Sequence, residues 1–377
     1  MQYRTFGKTG EKVSALGFGC MRLPVVNNQP GKIDFRKASA LIHEAIGLGV
    51  NYFDTAYTYH EETSEAFLAR ALPHSKRHQL LIADKLPSWK VHKPGDAEKL
   101  LNEQLKRLNT DYIDFYLLHS LRKNWWDNLL RNDILRFLEK VRREGKIRYA
   151  GFSFHDEYDV FRKIADAAEW DFCLLQYNYM DVEEQAGEKG VRHAHHRGMG
   201  LAVMEPLKGG YLTRCVPEEV QQVLKSKHPG WSPAEWALRW VWSHHEVSVV
   251  LSGMGSREEL LENVRIAGEA GPGNLDSSDR NTLDEVRKTY LSRTVIPCTN
   301  CGYCMPCPEE VDIPGIFSIY NHMKIFENPE NARASYAFLK KNGKGAENCV
   351  ECGNCEKVCP QTISIIEKLK ECERALG

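Results

Sequence analysis

Eight short apolar runs alternate with stretches of helical spacing between Ser14 and Ala267, and this alternation limits the fold more than any other property of the chain. The runs are Ser14–Met21, Tyr52–Thr55, Leu80–Lys85, Ile113–Leu118, Tyr149–Ser153, Phe172–Asn178, Leu201–Pro206 and Ser248–Ser252. The stretches that follow them are Phe35–Leu48, Thr63–Ala71, Ala97–Leu108, Ile134–Glu144, Tyr158–Ala168, Glu184–His196, Pro233–His244 and Arg257–Ala267. Phe35–Leu48 is representative: Ala38, Leu41, Ile42, Ala45 and Ile46 recur on one face, as a helix against a core requires. Eight strand–helix units predict a closed parallel (β/α)8 TIM barrel of the α/β class. The competing fold is an open doubly wound sheet, which carries a glycine-rich turn leading into a helix after its first strand. Gly17-Phe18-Gly19-Cys20 lacks the third glycine and the helix.

In such a barrel the chemistry lies at the C-terminal ends of the strands. The second run ends in Asp54-Thr55-Ala56 with Tyr59 just beyond, the third in Asp84-Lys85 and the fourth in Leu117-Leu118-His119. Any one of these residues alone would more often cap a loop. Asp54, Tyr59, Lys85 and His119 together, on three consecutive strands, form a set of proton-moving groups at one rim.

The C-terminal region is of another kind. Cys298-x2-Cys301-x2-Cys304-x2-Cys307-Pro308 is followed by Cys349-x2-Cys352-x2-Cys355-x3-Cys359-Pro360, and these runs hold eight of the chain's twelve cysteines. Three thiolates at two-residue spacing hold three corners of an iron–sulfur cube, and a more distant Cys-Pro supplies the fourth corner, usually of the other cluster. The crossing rule assigns Cys298, Cys301, Cys304 and Cys359 to one [4Fe-4S] cluster and Cys349, Cys352, Cys355 and Cys307 to the other. Structural zinc and disulfides compete with this reading, but each run ends in Cys-Pro, and thiols this closely spaced suit a metal cluster better than disulfides. The first run is one residue short before Cys307, the ligand least fixed by spacing.

Hydrophobic residues make up 42% and charged residues 27%, as in an ordinary globular protein, and 377 residues suffice for one large domain and one small one. The formal net charge of −1 gives no footprint for nucleic acid or a membrane surface. No apolar run is long enough for a bilayer, and the polar Met1–Gly10 segment lacks the core of a secretion signal. Free thiols and clusters point to a cytoplasmic setting. Cys20, Cys173, Cys215 and Cys372 read as small apolar residues.

Taken in order, Leu16-Gly17-Phe18-Gly19, Asn51-Tyr52-Phe53-Asp54-Thr55-Ala56-x-x-Tyr59, Asp84-Lys85, Asp114-x-Tyr116-Leu117-Leu118-His119 and Gly151-Phe152-Ser153 resemble the aldo-keto reductase superfamily, over Tyr3 to about Ala270. Cys298-Thr299-x-Cys301-x-Tyr303-Cys304-Met305-Pro306-Cys307-Pro308 resembles the branch with an appended ferredoxin-type domain, where the shortened spacing is normal. The resemblance implies hydride transfer between NAD or NADP and a small carbonyl or alcohol substrate. Tyr59 is then the general acid, Lys85 lowers its pKa, Asp54 holds Lys85, and His119 orients the carbonyl. Ser153 and Gln176 match groups that hold the nicotinamide carboxamide, Met204 falls where an aromatic commonly stacks, and Gly253, Arg257, Glu262 and Asn263 match the adenosine side. Phe154 replaces the usual Asn, which leaves His155 or water to substitute. Glu259 falls where an Arg often grips a 2′-phosphate, so NADH is expected to serve at least as well as NADPH, with Arg257 as the compensating cation.

Trp125 and Trp126 fall in the loop after the fourth strand, as a pocket wall or as packing. Trp231, Trp236, Trp240 and Trp242 read as packing, and His193, His195 and His196 as a polar helix face. Past Gly271-Pro272-Gly273-Asn274, a helix Ser278–Tyr290 completes the barrel domain (1–290). A small, mainly α-helical ferredoxin-like domain (291–377) follows, with helices Ile313–His322, Ala332–Lys341 and Ile363–Leu376, placed where family members shape the substrate pocket. The leading function is a carbonyl–alcohol oxidoreductase with two clusters for electron transfer or redox sensing, possible exchange with a redox protein included. The alternatives are a redox-sensing or electron-carrying protein of low turnover, and a scaffold that needs clusters only to fold. Nicotinamides move two electrons and each cluster one, and no flavin motif bridges them.

Overall fold

The computed structural model describes residues 1–214 and 216–377, with the backbone alone at His74. Cys215 lies outside the described residues. Two compact units emerge: Met1–Gly209 with Glu235–Asp276, and Gly210–Ala234 with Ser277–Gly377.

The first unit opens with an antiparallel hairpin, β1 (Tyr3–Thr5) and β2 (Lys12–Ser14), then β3 (Leu16–Gly19), α1 (Phe35–Gly47), β4 (Tyr52–Asp54) and α2 (Ser64–Ala71). It continues through β5 (Leu81–Leu86), α3 (Asp96–Leu108), β6 (Ile113–Leu121), α4 (Lys123–Arg131), α5 (Ile134–Arg143), β7 (Ile147–Phe154) and α6 (Tyr158–Asp166). β8 (Phe172–Gln176), α7 (Gly187–His196) and β9 (Gly200–Met204) follow. After α8 (Tyr211–Arg214) and α9 (Glu218–Lys227) come α10 (Pro233–Trp242), β10 (Val249–Ser252) and α11 (Arg257–Glu269). Among the described residues, the eight strands β3 to β10 close into one parallel barrel, with β10 beside β3 in the register Val250↔Leu16. The expected barrel is therefore the observed one.

Side chains fill the barrel as the pleat demands, successive residues pointing in and out. Tyr52, Leu81, Ala83, Phe115, Leu117, Phe172, Leu174, Ala202, Val249 and Leu251 form the interior. Phe6 and Val13 of the hairpin region join them, and the Phe6 ring lies 4.9 Å from Phe115 and 5.4 Å from Phe172. The hairpin was not anticipated, because its short strands carry little alternation. It plugs the N-terminal end of the barrel. Gly7 makes the close approach possible: its φ is +52°, and a Cβ there would meet the Gly200 nitrogen at 2.2 Å. Each aromatic buried in this floor contributes roughly 1.5–3 kcal/mol by leaving water.

Helix ends follow local chemistry. Asp34 caps α1 by accepting from the Lys37 amide, and Ser256 caps α11 by accepting from the Glu259 amide. One expectation is corrected here. Trp125 and Trp126 lie in α4, not in a loop, and Trp126 is buried with its ring 6.2 Å from Trp170. With only Trp126 and Leu129 buried on it, α4 leaves little helical period to read.

The second unit holds α8, α9, α12 (Ser277–Ser292), α13 (Ile313–Phe326), α14 (Pro329–Lys341), α15 (Asn354–Lys357) and α16 (Ile365–Leu376), and no strand among its described residues. Its core gathers Ile313, Ile316, Phe317 and Tyr320 of α13, Tyr336 of α14 and Leu369 of α16. Cys298, Cys304, Cys307, Cys349, Cys355 and Cys359 pack against this core.

Candidate active site and cysteine cavities

Because the eight strands run parallel, their C-terminal ends open at one mouth, and Asp54, Lys85, His119, Ser153, Gln176 and Met204 all come to it from β4 to β9. The centre is the Lys85 ammonium, buried to 1% exposure. Its Nζ donates to Asp54 Oδ1 at 2.6 Å, to the Thr55 carbonyl at 2.7 Å and to the Tyr59 hydroxyl at 3.3 Å. Those three bonds use all three ammonium donors. The Tyr59 oxygen accepts from Lys85, so its own O–H proton is not used in that contact and is left to donate. Burial works against a charged lysine, yet Asp54 and Tyr59 hold the Lys85 pKa above its usual value, so the proton of this pair resides on nitrogen.

The expectation that Lys85 lowers the Tyr59 pKa needs amending. Lys85 does pull it down, but burial of the hydroxyl is the larger effect and Asp54 adds to it, so the net direction is upward. Tyr59 is thus a phenol, with a proton to give. His119 lies beside it, ring centroids 6.2 Å apart, and the tilted Trp89 ring lies 5.3 Å from His119. Burial, helped by the charges of Lys85 and His155, drives the His119 pKa well below the ordinary histidine value and keeps the ring neutral. Its buried Nδ1 and the buried Asp54 Oδ2 have no hydrogen-bond partner among the described residues.

Sequence reading passed over several neighbours. Trp89 sits four residues beyond Lys85, in a short 3-10 turn. Cys20, taken as a small apolar residue, follows β3 at the same rim, and burial and Asp54 push its thiol far up. Behind β5 lies a buried polar knot: Gln104 Nε2 donates to Asp84 Oδ2 at 2.8 Å and to Glu65 Oε1 at 3.1 Å, and Arg107 Nη1 donates to Glu65 Oε2 at 3.0 Å. Burial and Glu65 raise the Asp84 pKa well above the carboxylate range.

The deciding observation is a match of residues 15–288 to the family described as Aldo/keto reductase family. The chain belongs to the aldo/keto reductase family. Residues 297–364 of this aldo/keto reductase match the description 4Fe-4S dicluster domain. An L-galactose dehydrogenase of Arabidopsis thaliana is 30% identical over 307 residues, covering 76% of this chain and 93% of that protein. The uncharacterized oxidoreductase YqkF of Bacillus subtilis (strain 168) is 27% identical, covering 71% of this chain and 91% of that one. Among solved structures, the holo form of the aldo-keto reductase AKR11C1 from Bacillus halodurans is similar, with 28% identity, a TM-score of 0.65, and 76% and 96% of the two chains covered.

Elsewhere on the reductase mouth, Ser153 Oγ accepts from the Ser120 amide at 2.7 Å and keeps its own proton free to donate. Gln176 donates to Asp181 Oδ2 and accepts from Gln185, both at 2.9 Å, so one of its N–H bonds is left for another acceptor. Met204 is half-buried beside Gln176 in the β8–β9 pairing. Gly253 lies where a Cβ would meet Arg22 Cγ at 2.8 Å. Asn263 donates to Ser252 Oγ at 2.9 Å, fastening α11 to the end of β10. Arg257 reaches Glu44 of α1 at 2.8 Å. Glu262 is half-buried on α11.

In the second unit the two cysteine runs share one backbone pattern. Asn300 and Gly302 take positive φ in the first run, and Glu351 and Gly353 repeat this in the second at the same offsets from Cys298 and Cys349. Glu310 and Thr362, again with positive φ, follow Cys307 and Cys359 at equal distance, and α13 and α16 then start at equal distance. The one-residue shortfall before Cys307 therefore leaves the repeat intact. Cys298, Cys301, Cys304 and Cys359 line one cavity, walled by Ile313 and Phe317. Cys307, Cys349, Cys352 and Cys355 line a second, with Cys304 bordering both. The two sets are those of the crossing rule. Burial first and then Cys298, Cys301 and Cys359 raise the Cys304 pKa, and burial pushes Cys355 up to about 11. Thiols crowded in this way give up their protons when a cation binds among them, so the donor set suits iron.

Proposed function

We propose that the chain is an NAD(P)-dependent oxidoreductase that interconverts a small carbonyl compound and its alcohol, with two [4Fe-4S] clusters appended for electron transfer or redox sensing. The observation that carries this reading is the buried Asp54–Lys85–Tyr59 chain beside neutral His119. A bound nicotinamide supplies or takes the hydride. Ser153, Gln176 and Met204 would hold its ring end, and Gly253, Arg257, Glu262 and Asn263 its adenosine end. The orphaned His119 Nδ1 and the spare donors of Ser153 and Gln176 are the kind of groups a polar ligand would satisfy.

In the reducing direction Tyr59 gives its proton to the oxygen of the substrate as negative charge develops there. Lys85 already donates to the Tyr59 oxygen, so it stabilises the phenolate left behind without moving. Asp54 keeps Lys85 in place and charged. His119, neutral, donates a hydrogen bond that fixes the carbonyl oxygen beside Tyr59. Trp89 presses on the His119 ring and restricts its rotation.

The cluster ligands are the two crossed sets of four cysteines, and residues 291–377 would form the iron–sulfur domain. Free thiols and clusters suit a reducing cytoplasm. The name of the Arabidopsis relative supports testing hydroxylated aldehydes and sugars first. Following NADH and NADPH oxidation with a panel of aldehydes, ketones and aldoses tests the reading, with and without chemical removal of iron. Turnover that vanishes in Tyr59→Phe supports it. A protein that binds either dinucleotide yet reduces no carbonyl in the panel favours the electron-carrier alternative.

A further inference from the structure

Two cations of the barrel unit, Arg257 and Lys208, each face a carboxylate of the same chain. Arg257 Nε donates to both oxygens of Glu44, at 2.9 and 3.0 Å, and its Nη2 lies 2.8 Å from Glu44 Oε1. Lys208 Nζ lies 2.6 Å from Asp181 Oδ1 and 2.7 Å from Oδ2. Glu259 adds a further negative charge: its Oε2 accepts from the Gly255 amide at 2.8 Å, so the carboxylate is folded back over the loop after β10.

The sequence left Arg257 as the residue able to replace a missing phosphate-gripping cation. The structure commits it to Glu44 in the two-pronged geometry that guanidinium groups prefer. Glu44 is on α1 and Arg257 on α11, so no local sequence pattern joins them. A phosphate arriving at this loop would have to displace Glu44 from Arg257 and also approach Glu259, like charge against like charge. A bare ribose meets neither obstacle, and the Glu259 carboxylate can accept from its hydroxyls.

We infer that Glu44, by holding Arg257, together with Glu259 selects the dinucleotide with free ribose hydroxyls, NADH, against the 2′-phosphorylated NADPH. The inference rests on the reading above that the loop after β10 receives the adenosine half. Glu44 thereby becomes a specificity-determining residue that acts through Arg257.

The test is equilibrium titration of the full iron-loaded chain with NADH and with NADPH, followed by quenching of tryptophan fluorescence. The unaltered protein is expected to bind NADH about tenfold more tightly or better, as one repulsive contact of this kind implies. Glu44→Gln with Glu259→Gln frees the guanidinium and removes the opposing charge, and is expected to shift the NADH-to-NADPH ratio about tenfold toward NADPH. Adding Arg257→Ala to that pair is expected to abolish the gain, which a general surface-charge effect would not do. All three side chains are partly or well exposed, so the variants are expected to melt with the parent. Tighter binding of NADPH by the unaltered chain, or an unmoved ratio in the double variant, overturns the inference while leaving dinucleotide binding intact. Failure of both dinucleotides to bind overturns the cofactor reading itself, and the inference with it.

Discussion

Lys85 donates to the hydroxyl oxygen of Tyr59 across 3.3 Å, and this single contact orders the site. It leaves the phenol proton to be donated and sets a positive charge where a phenolate would form. Much of the expected behaviour of the site follows from it.

Tyr59→Phe removes the proton donor and leaves the ring in place. Carbonyl reduction is expected to fall by a factor of about 10²–10⁴, the usual worth of a positioned acid. Dinucleotide dissociation constants are expected to stay within a factor of two, since the substitution removes only an oxygen. Steady-state rates together with fluorescence titration check both halves. Near-parental turnover would remove Tyr59 from the mechanism.

Asp54→Asn tests the ion pair. Lys85 and Asp54 are 1% and 3% exposed, and among the described residues Asp54 is the one carboxylate that accepts from Lys85. Leaving that ammonium without its counter-charge is expected to cost about 3–5 kcal/mol. Urea denaturation at pH 7 measures it. A loss below about 1 kcal/mol would mean that the lysine sheds its proton instead.

His119 makes the fold sensitive to acid. Its pKa in the folded chain is well below the free value of 6.5, so below that pH the unfolded chain takes up a proton that the folded chain refuses. The stability that neutral His119 contributes is complete above pH 6.5 and is lost as pH falls toward the folded value. His119→Gln is expected to flatten this loss. The difference between parent and variant denaturation midpoints at pH 5 and pH 8 isolates it from other titrating groups, His155 among them. Equal acid sensitivity of the two proteins would contradict the buried, neutral ring.

The cysteine cavities predict which double substitutions are redundant. Cys298→Ala with Cys359→Ala strikes one cavity twice and is expected to leave about half the iron. Cys349→Ala with Cys359→Ala strikes both and is expected to leave little. Iron and sulfide assays with visible absorption read the outcome. If the second pair left more iron than the first, each run would hold its own cluster without crossing.

The barrel and the residues of its mouth were legible because strand ends in a parallel ring are forced together. Asp54, Lys85 and His119 are far apart in sequence, yet each closes an apolar run, and the topology does the rest. What was not legible depends on packing rather than period. The β1–β2 hairpin is too short to show alternation, and α4 buries only two side chains. The direction of the Tyr59 shift required knowing how deep its hydroxyl lies. The Glu44–Arg257 pair joins the first and last helices of the barrel, which no window of sequence spans. In the cysteine runs the spacing suggested an irregularity at Cys307, and the repeated positive-φ positions show that the backbone absorbs it.

The pairing of β10 with β3 carries a consequence for biosynthesis. Val250 must find Leu16, so the ring stays open until nearly the whole barrel has left the ribosome. Until then β3 and the newest strand present bare hydrogen-bonding edges, which stick to other chains. A nascent chain stalled before Val249 would therefore be a substrate for chaperones, whatever the stability of the finished enzyme.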